Sequence, residues 1–136
     1  MRTVELAEKV SASPVRIDSH LDPPTIIEYE GSFEVVDFEE KDEEWYVTAG
    51  SSGLRLNFRF ESLENGYYYE LKEDQPLEKM KTTLQYQQSG NGTEISITSA
   101  VRMGRWPAAV TDRVAAWKRK GELNRMLEHL HEEFNG

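Results

Sequence analysis

The chain has 136 residues, no cysteine and a formal net charge of −9. This length predicts a single domain over residues 1–136 with a real core, and the missing cysteines exclude disulfides, thiolate catalysis and cysteine-ligated zinc. The negative charge argues against nucleic acid and anionic membrane surfaces as partners, because both attract basic patches.

Localisation follows from the apolar runs. No run approaches the roughly 20 residues that a membrane-spanning helix needs, so no integral membrane segment is expected. The first ten residues carry charges throughout and do not resemble a signal peptide. We therefore expect a cytoplasmic protein, whose acidity reflects either a high-salt cytoplasm or an ordinary acidic surface.

The first third of the chain predicts one strand and two short helices. Residues 2–11 alternate apolar and polar side chains, which is typical of a half-buried strand. Ser13 and Pro14 predict the cap and first position of a short helix. Asp22, followed by two prolines, breaks that helix and starts a second one, which Gly31 ends.

Six further strands are expected to form an antiparallel meander, because tight turns join consecutive strands. They cover residues 33–39, 44–50, 54–61, 67–72, 78–88 and 93–103. The Asn-Gly pairs at 65–66 and 91–92 are strong signals for two-residue hairpin turns. A twisted sheet of this size curls, and only the C-terminal helix is available to cover its apolar face.

That helix is predicted to begin near Pro107, since proline is favourable in a first helical turn. Val110, Val114 and Trp117 are spaced i, i+4, i+7, the spacing of one helical face. We expect this stripe to face the sheet.

A second apolar stripe in the same helix points to a different side, because successive helical residues turn by about 100°. Its members are Leu123, Leu127, Leu130 and Phe134. A kink or break at Lys120-Gly121 would account for both stripes. The alternative is a straight helix whose tail meets another subunit in a homodimer.

The order of elements resembles the START-like (SRPBCC) helix-grip superfamily, in its polyketide cyclase/dehydrase and lipid-transport branch. The resemblance rests on the Ala-Ser-Pro-Val exit at 12–15, on Leu-Asp-Pro at 21–23 and on the closing helix at 121–127. It implies an α+β helix-grip fold, in which a seven-stranded curved antiparallel sheet, in the order β-α-α-β6-α, wraps around a long C-terminal helix. It also implies a deep cavity between sheet and helix that binds an apolar or aromatic small molecule.

Residues predicted to face inward form the candidate ligand-binding set. They are Trp45, Leu56, Phe58, Phe60, Tyr67, Tyr69, Thr82, Leu84, Tyr86, Ile97, Ser99, Val110, Val114 and Trp117. The alternative is that these residues simply fill a core. Several of them place hydroxyl groups on otherwise apolar faces, and buried hydroxyls need partners that a ligand or water can supply.

Three functions remain open from the sequence. The leading hypothesis is non-catalytic binding or carriage of a small hydrophobic ligand, such as a lipid, quinone or polyketide-like molecule. A cyclase or dehydratase would need an acid or base in the cavity, and His20, Tyr69 and Tyr86 are the only candidates. A protein-interaction module of the chaperone-activator type would use the acidic helix or the edge at 39–44. No catalytic motif, metal site or cofactor site is predicted.

Overall fold

A computed structural model of the chain describes residues 2–51, 54–72, 78–103 and 108–135. Its elements are β1 (Arg2–Val10), α1 (Pro14–His20), α2 (Pro23–Glu30), β2 (Glu34–Lys41), β3 (Glu44–Ser51), β4 (Leu54–Leu63), β5 (Gly66–Leu71), β6 (Glu78–Ser89), β7 (Gly92–Met103) and α3 (Ala108–Asn135). The predicted order of one strand, two short helices, six strands and a long helix is confirmed. No helix within the described ranges is long and apolar enough to cross a membrane.

The seven strands form one antiparallel sheet in the order β1-β7-β6-β5-β4-β3-β2. Each strand from β2 to β6 pairs with its successor, as the predicted meander requires. The first strand instead pairs with the last, with Val4 opposite Ser99 and Leu6 opposite Ile97. The edges of the sheet are therefore β1 and β2.

The two short helices begin with the predicted caps. The Ser13 side chain accepts a hydrogen bond from the Arg16 amide at 3.3 Å, and Asp22 accepts one from the Thr25 amide at 2.9 Å. Each cap satisfies a backbone donor that the first helical turn leaves unpaired. Gly31 ends α2 in the left-handed region, at φ 82°, where glycine is favoured.

Both Asn-Gly pairs lie at hairpins, but each turn is one residue earlier than predicted. The loops are residues 64–65 and 90–91, and Gly66 and Gly92 already belong to the following strands. A Cβ on Gly66 would lie 1.9 Å from the carbonyl oxygen of Leu84, in the neighbouring strand. Glycine is therefore required there by close backbone approach and also by a φ of 150°, which other residues rarely adopt.

The predicted inner faces of the strands are confirmed. Their buried side chains are Leu56, Phe58, Phe60, Tyr67, Tyr69, Leu71, Met80, Thr82, Leu84, Tyr86, Ile95, Ile97, Ser99 and Val101. The long helix α3 packs across β1, β7 and α2 and covers part of this face.

The predicted orientation of α3 is wrong in its first half. Trp117 is 78% exposed, whereas Met126 is fully buried. The two residues are nine positions apart, which places them about 180° apart around a helix of 3.6 residues per turn. Trp117 therefore points away from the sheet. The side chains of Val110 and Val114, the other members of that stripe, lie outside the described residues.

The second apolar stripe is the one that covers the core. Leu123, Leu127, Leu130 and Phe134 are all buried. The helix is continuous from Ala108 to Asn135, so the predicted break at Lys120-Gly121 does not occur. The stripe packs within the core of the chain.

Candidate functional site

A pocket of about 30 Å³ lies between α2, residues 32–33 that follow it, α3 and the inner faces of β4, β5 and β6. Its walls are mostly apolar: Ile27, Phe33, Leu56, Phe58, Leu71 and Met80. Its polar lining is Glu30, Ser32, Lys118, Arg119 and Glu122. The volume is enough for about one or two water molecules.

A buried ion pair closes the polar end of this pocket. Arg119 is only 4% exposed. Its guanidinium donates to both carboxylate oxygens of Glu30, from Nη1 to Oε1 at 2.5 Å and from Nη2 to Oε2 at 3.0 Å. This two-point geometry is the strong form of an arginine–carboxylate contact. A second carboxylate, that of Glu122, accepts from Nη1 at 3.2 Å.

Three hydroxyl groups complete the surroundings of Arg119. The Nε–H donates to Ser99 Oγ at 3.0 Å, and Nη2 lies 2.8 Å from Thr82 Oγ1 and 3.1 Å from the phenol oxygen of Tyr69. The Tyr69 hydroxyl in turn donates a hydrogen bond to Glu30. All five N–H groups of the guanidinium therefore have acceptors. We call this set (Glu30, Tyr69, Thr82, Ser99, Arg119 and Glu122) the Arg119 cluster.

Burial and nearby charges shift the pKa values of two members of the cluster, Arg119 and Tyr69. Burial disfavours the charged guanidinium, but the charge of Glu30 outweighs this and holds the pKa of Arg119 well above its usual value. Burial, followed by the charge of Glu30, raises the pKa of Tyr69 well above that of a free phenol. Among the described residues no buried side-chain nitrogen or oxygen lacks a hydrogen-bond partner.

The helices place both charges on faces that are otherwise apolar. Glu30 lies four residues after the fully buried Ile26 on α2, and Arg119 lies four residues before the fully buried Leu123 on α3. We did not predict either charged residue as part of a site. A carboxylate and a guanidinium that both interrupt apolar helical faces are the signal that could have identified the pair.

The candidate ligand-binding residues do not converge on one pocket. Only Leu56 and Phe58 line it. Tyr69, Thr82 and Ser99 belong to the Arg119 cluster, so their hydroxyls have protein partners in place of the predicted ligand. The residues buried in the core away from the pocket are Phe60, Tyr67, Leu84, Tyr86 and Ile97.

The tryptophans lie elsewhere. Trp45 is half-buried and stacks on the exposed ring of Phe38, with centroids 6.1 Å apart. Trp117 points to solvent, as described above.

The three acid–base candidates occupy separate hydrogen bonds. His20 Nε2 lies 2.8 Å from the Tyr29 hydroxyl, and Tyr86 donates to Asp18. Burial and that bond to Asp18 raise the pKa of Tyr86, so its phenol keeps its proton. Neither His20, Tyr69 nor Tyr86 lines the pocket.

Solved structures with this architecture cover nearly the whole chain. A protein from Thermus thermophilus superposes with a TM-score of 0.71 at 14% identity, over 96% of this chain and 95% of that one. A protein from Mesorhizobium loti gives 0.69 at 19% identity, over 96% and 95%. A START superfamily protein from Mycobacterium smegmatis gives 0.67 at 14% identity, over 96% and 97%.

No protein-family model and no curated protein matches the sequence. These superpositions establish the fold, but at identities below 20% they do not identify a ligand. The chain has a START-like, helix-grip fold.

Proposed function

We propose that the chain binds a small hydrophobic ligand, such as a lipid, a quinone or a polyketide-like molecule, in the pocket beside α3. The observation that carries this proposal is the contrast within that pocket. Leu56, Phe58 and Leu71 form an apolar wall, and the Arg119 cluster forms one polar end. Mostly apolar surroundings with a few placed polar groups are typical of small-molecule sites.

The size of the pocket sets how a ligand is held. A volume of about 30 Å³ accommodates one end of such a molecule and not all of it. Lys118, which is exposed, borders the same pocket and marks a side that reaches solvent. The bound end sits against the cluster, and the remainder of the ligand extends outward past Lys118.

Native mass spectrometry and thermal unfolding with a panel of lipids, quinones and aromatic polyketides test the proposal. We expect at least one compound to bind and to raise the melting temperature, because a ligand that binds only the folded state stabilises it. In Leu71→Phe, which fills the pocket, affinity should fall by about tenfold or more.

Leu63→Phe is the matched control, since it makes the same change at an exposed position of β4. It should bind like the unmodified protein. If no compound of the panel binds, ligand binding is refuted. Equal affinity of the two variants would show that the ligand does not bind in this pocket.

Protein interaction is a second candidate function, favoured by the β2 edge. This strand lies at the end of the sheet, and it exposes Val36 and Phe38. An unpaired strand edge offers backbone groups to which another chain can add a strand. Residues 34–44 carry seven acidic side chains and one lysine, so charge complementarity favours a basic, extended segment of another protein.

A peptide of alternating lysine and valine is a suitable probe for that edge. We expect it to bind, and Phe38→Ser to weaken binding, because the substitution removes apolar contact from the edge without changing its charge. Val15→Ser removes an exposed apolar side chain from α1 and should leave binding unchanged. Equal binding by both variants would show that the peptide does not bind at the β2 edge.

A further inference from the structure

We infer that the pocket selects a ligand whose inner end donates hydrogen bonds, so that an alkyl ammonium group binds in preference to an alcohol and a carboxylate is rejected. The inference rests on the proposed function, because it concerns the same pocket. It specifies the chemical class of the group that meets the Arg119 cluster.

Arg119 does not serve as a receptor for an anion, although an arginine beside a pocket usually suggests one. Its two contacts with Glu30, at 2.5 and 3.0 Å, occupy the fork that a ligand carboxylate would need. Its Nε–H is engaged by Ser99 at 3.0 Å. An anionic ligand would therefore have to displace an existing buried partner of the guanidinium.

Of the other polar groups that line the pocket, Lys118 is exposed and Ser32 already accepts a hydrogen bond from Arg125 at 3.2 Å, so Glu122 is the acceptor beside Arg119. Glu122 borders the pocket with a side chain 10% exposed, and it contacts Arg119 at a single distance of 3.2 Å. It is held less closely than Glu30, whose two oxygens both face the guanidinium. Because a carboxylate only accepts hydrogen bonds, a ligand group placed beside Glu122 must donate them.

The charges of the cluster point the same way. Two carboxylates, those of Glu30 and Glu122, face the one guanidinium of Arg119 within the buried cluster. Lys118, the other cation beside the pocket, is exposed, so water and salt screen its charge. A third anion at the buried end would leave a buried charge uncompensated, whereas an ammonium group would balance the cluster.

Calorimetric titration of the unmodified protein with three matched ligands tests this inference at pH 7. Decylamine, decanol and decanoate share one alkyl chain and differ only in the polar end. We expect the amine to bind most tightly and the alcohol more weakly. Decanoate should bind about tenfold more weakly than the amine, or worse, since a buried unpaired charge costs well above about 1.4 kcal/mol.

Glu122→Gln separates the charge of this side chain from its shape. In this variant the amine should lose its advantage over the alcohol, while the alcohol keeps its affinity. Glu132→Gln removes a charge from an exposed position of the same helix and should preserve the order seen in the unmodified protein. If Glu122→Gln fails to fold, the three-ligand series on the unmodified protein still decides the matter.

The outcomes distinguish the two proposals. Binding of decanoate as tightly as decylamine, or equal binding of all three ligands, overturns the inference and leaves ligand binding in place. Failure of all three ligands, together with failure of the wider panel of hydrophobic compounds, overturns both.

Discussion

At the scale of residues, Arg119 occupies a helical position that its neighbours fill with apolar side chains. Removing a guanidinium from water costs several kcal/mol, and such a group persists only with close partners. Glu30 supplies them from α2, a helix that lies 89 residues earlier in the chain. The pair therefore ties α2 to α3 through the core. Nearer the surface, the exposed Arg125 donates from Nε to the Glu30 carbonyl oxygen at 2.8 Å and joins the same two helices.

Replacing this arginine should be among the most damaging single changes. Arg119→Met keeps the length of the side chain but leaves the carboxylates of Glu30 and Glu122 buried without a cation. We expect the free energy of unfolding to fall by about 3–5 kcal/mol, measured by urea denaturation. Adding Glu30→Leu should recover part of the loss. A loss below about 1 kcal/mol would contradict the role given to the cluster.

Two adjacent tyrosines of β5 provide a matched comparison. Tyr69 faces inward and bonds to Glu30 and Arg119, while Tyr68 faces outward and bonds to Glu70 at 2.9 Å. Tyr69→Phe should lower the free energy of unfolding by about 1–3 kcal/mol, because it removes a buried hydroxyl that both donates and accepts. Tyr68→Phe should cost less in the same denaturation experiment. The reverse order would mean that Tyr68, and not Tyr69, faces the core.

The phenol of Tyr69 also predicts a dependence on pH. Burial, followed by the charge of Glu30, raises its pKa in the folded protein above the value of about 10 in the unfolded chain. Its contribution to stability is complete below about pH 10 and is lost as the pH rises from there toward the folded pKa. In Tyr69→Phe, the decline above about pH 10 should be shallower by up to about 1.4 kcal/mol per pH unit. Parallel declines in the two proteins would exclude this assignment.

At the scale of elements, α3 shows what apolar periodicity can and cannot predict. The spacing identifies the stripe from Leu123 to Phe134 but predicts that the other stripe faces the sheet; in the structure the Leu123–Phe134 stripe is the one that packs. The predicted face of the first half rests on two valines and a tryptophan and takes no account of Arg119. Its burial depends on Glu30 in a distant helix, and a pattern within one helix contains no information about that partner.

Alanine substitutions on opposite sides of α3 check its orientation. Met126→Ala should lower the free energy of unfolding by about 2–5 kcal/mol, because it opens a cavity in the core. Trp117→Ala removes a larger side chain, but one that is exposed, so the change should stay within about 0.5 kcal/mol. Thermal or urea unfolding of both variants decides the matter. A large loss of unfolding free energy in Trp117→Ala would show that Trp117 faces the core, as the sequence predicts.

The strands were predicted more fully than the helix, for a physical reason. Side chains alternate between the two faces of a strand, so Leu56, Phe58 and Phe60 determine their face without reference to any partner. The partners of the hydroxyls did not follow from that alternation. Tyr69 and Thr82 were correctly placed inward, yet they meet Arg119 and not a ligand.

At the scale of the whole molecule, the net charge of −9 is distributed unevenly. Most of it lies in the hairpin of β2 and β3, between residues 34 and 44. Repulsion among these exposed carboxylates is screened by salt, whereas the buried Arg119 cluster is screened much less.

We therefore expect the melting temperature to rise between about 10 mM and about 0.5 M NaCl and then to level off, as the Debye length shrinks below the spacing of surface charges. A neutralised hairpin, with Glu39→Gln and Glu43→Gln, should show a smaller rise. A melting temperature that keeps rising into molar salt would instead indicate adaptation to a high-salt cytoplasm.

The pairing of β1 with β7 also has a consequence during synthesis. Val4 pairs opposite Ser99, and the register runs from Arg2 opposite Val101 to Val10 opposite Thr93. These contacts join residues more than 80 positions apart, so β1 leaves the ribosome long before its partner exists. Until β7 emerges, β1 is an unpaired half-apolar strand open to chaperones or to a neighbouring nascent chain. In the order of synthesis, β1 can therefore join the sheet only once β7 has been made.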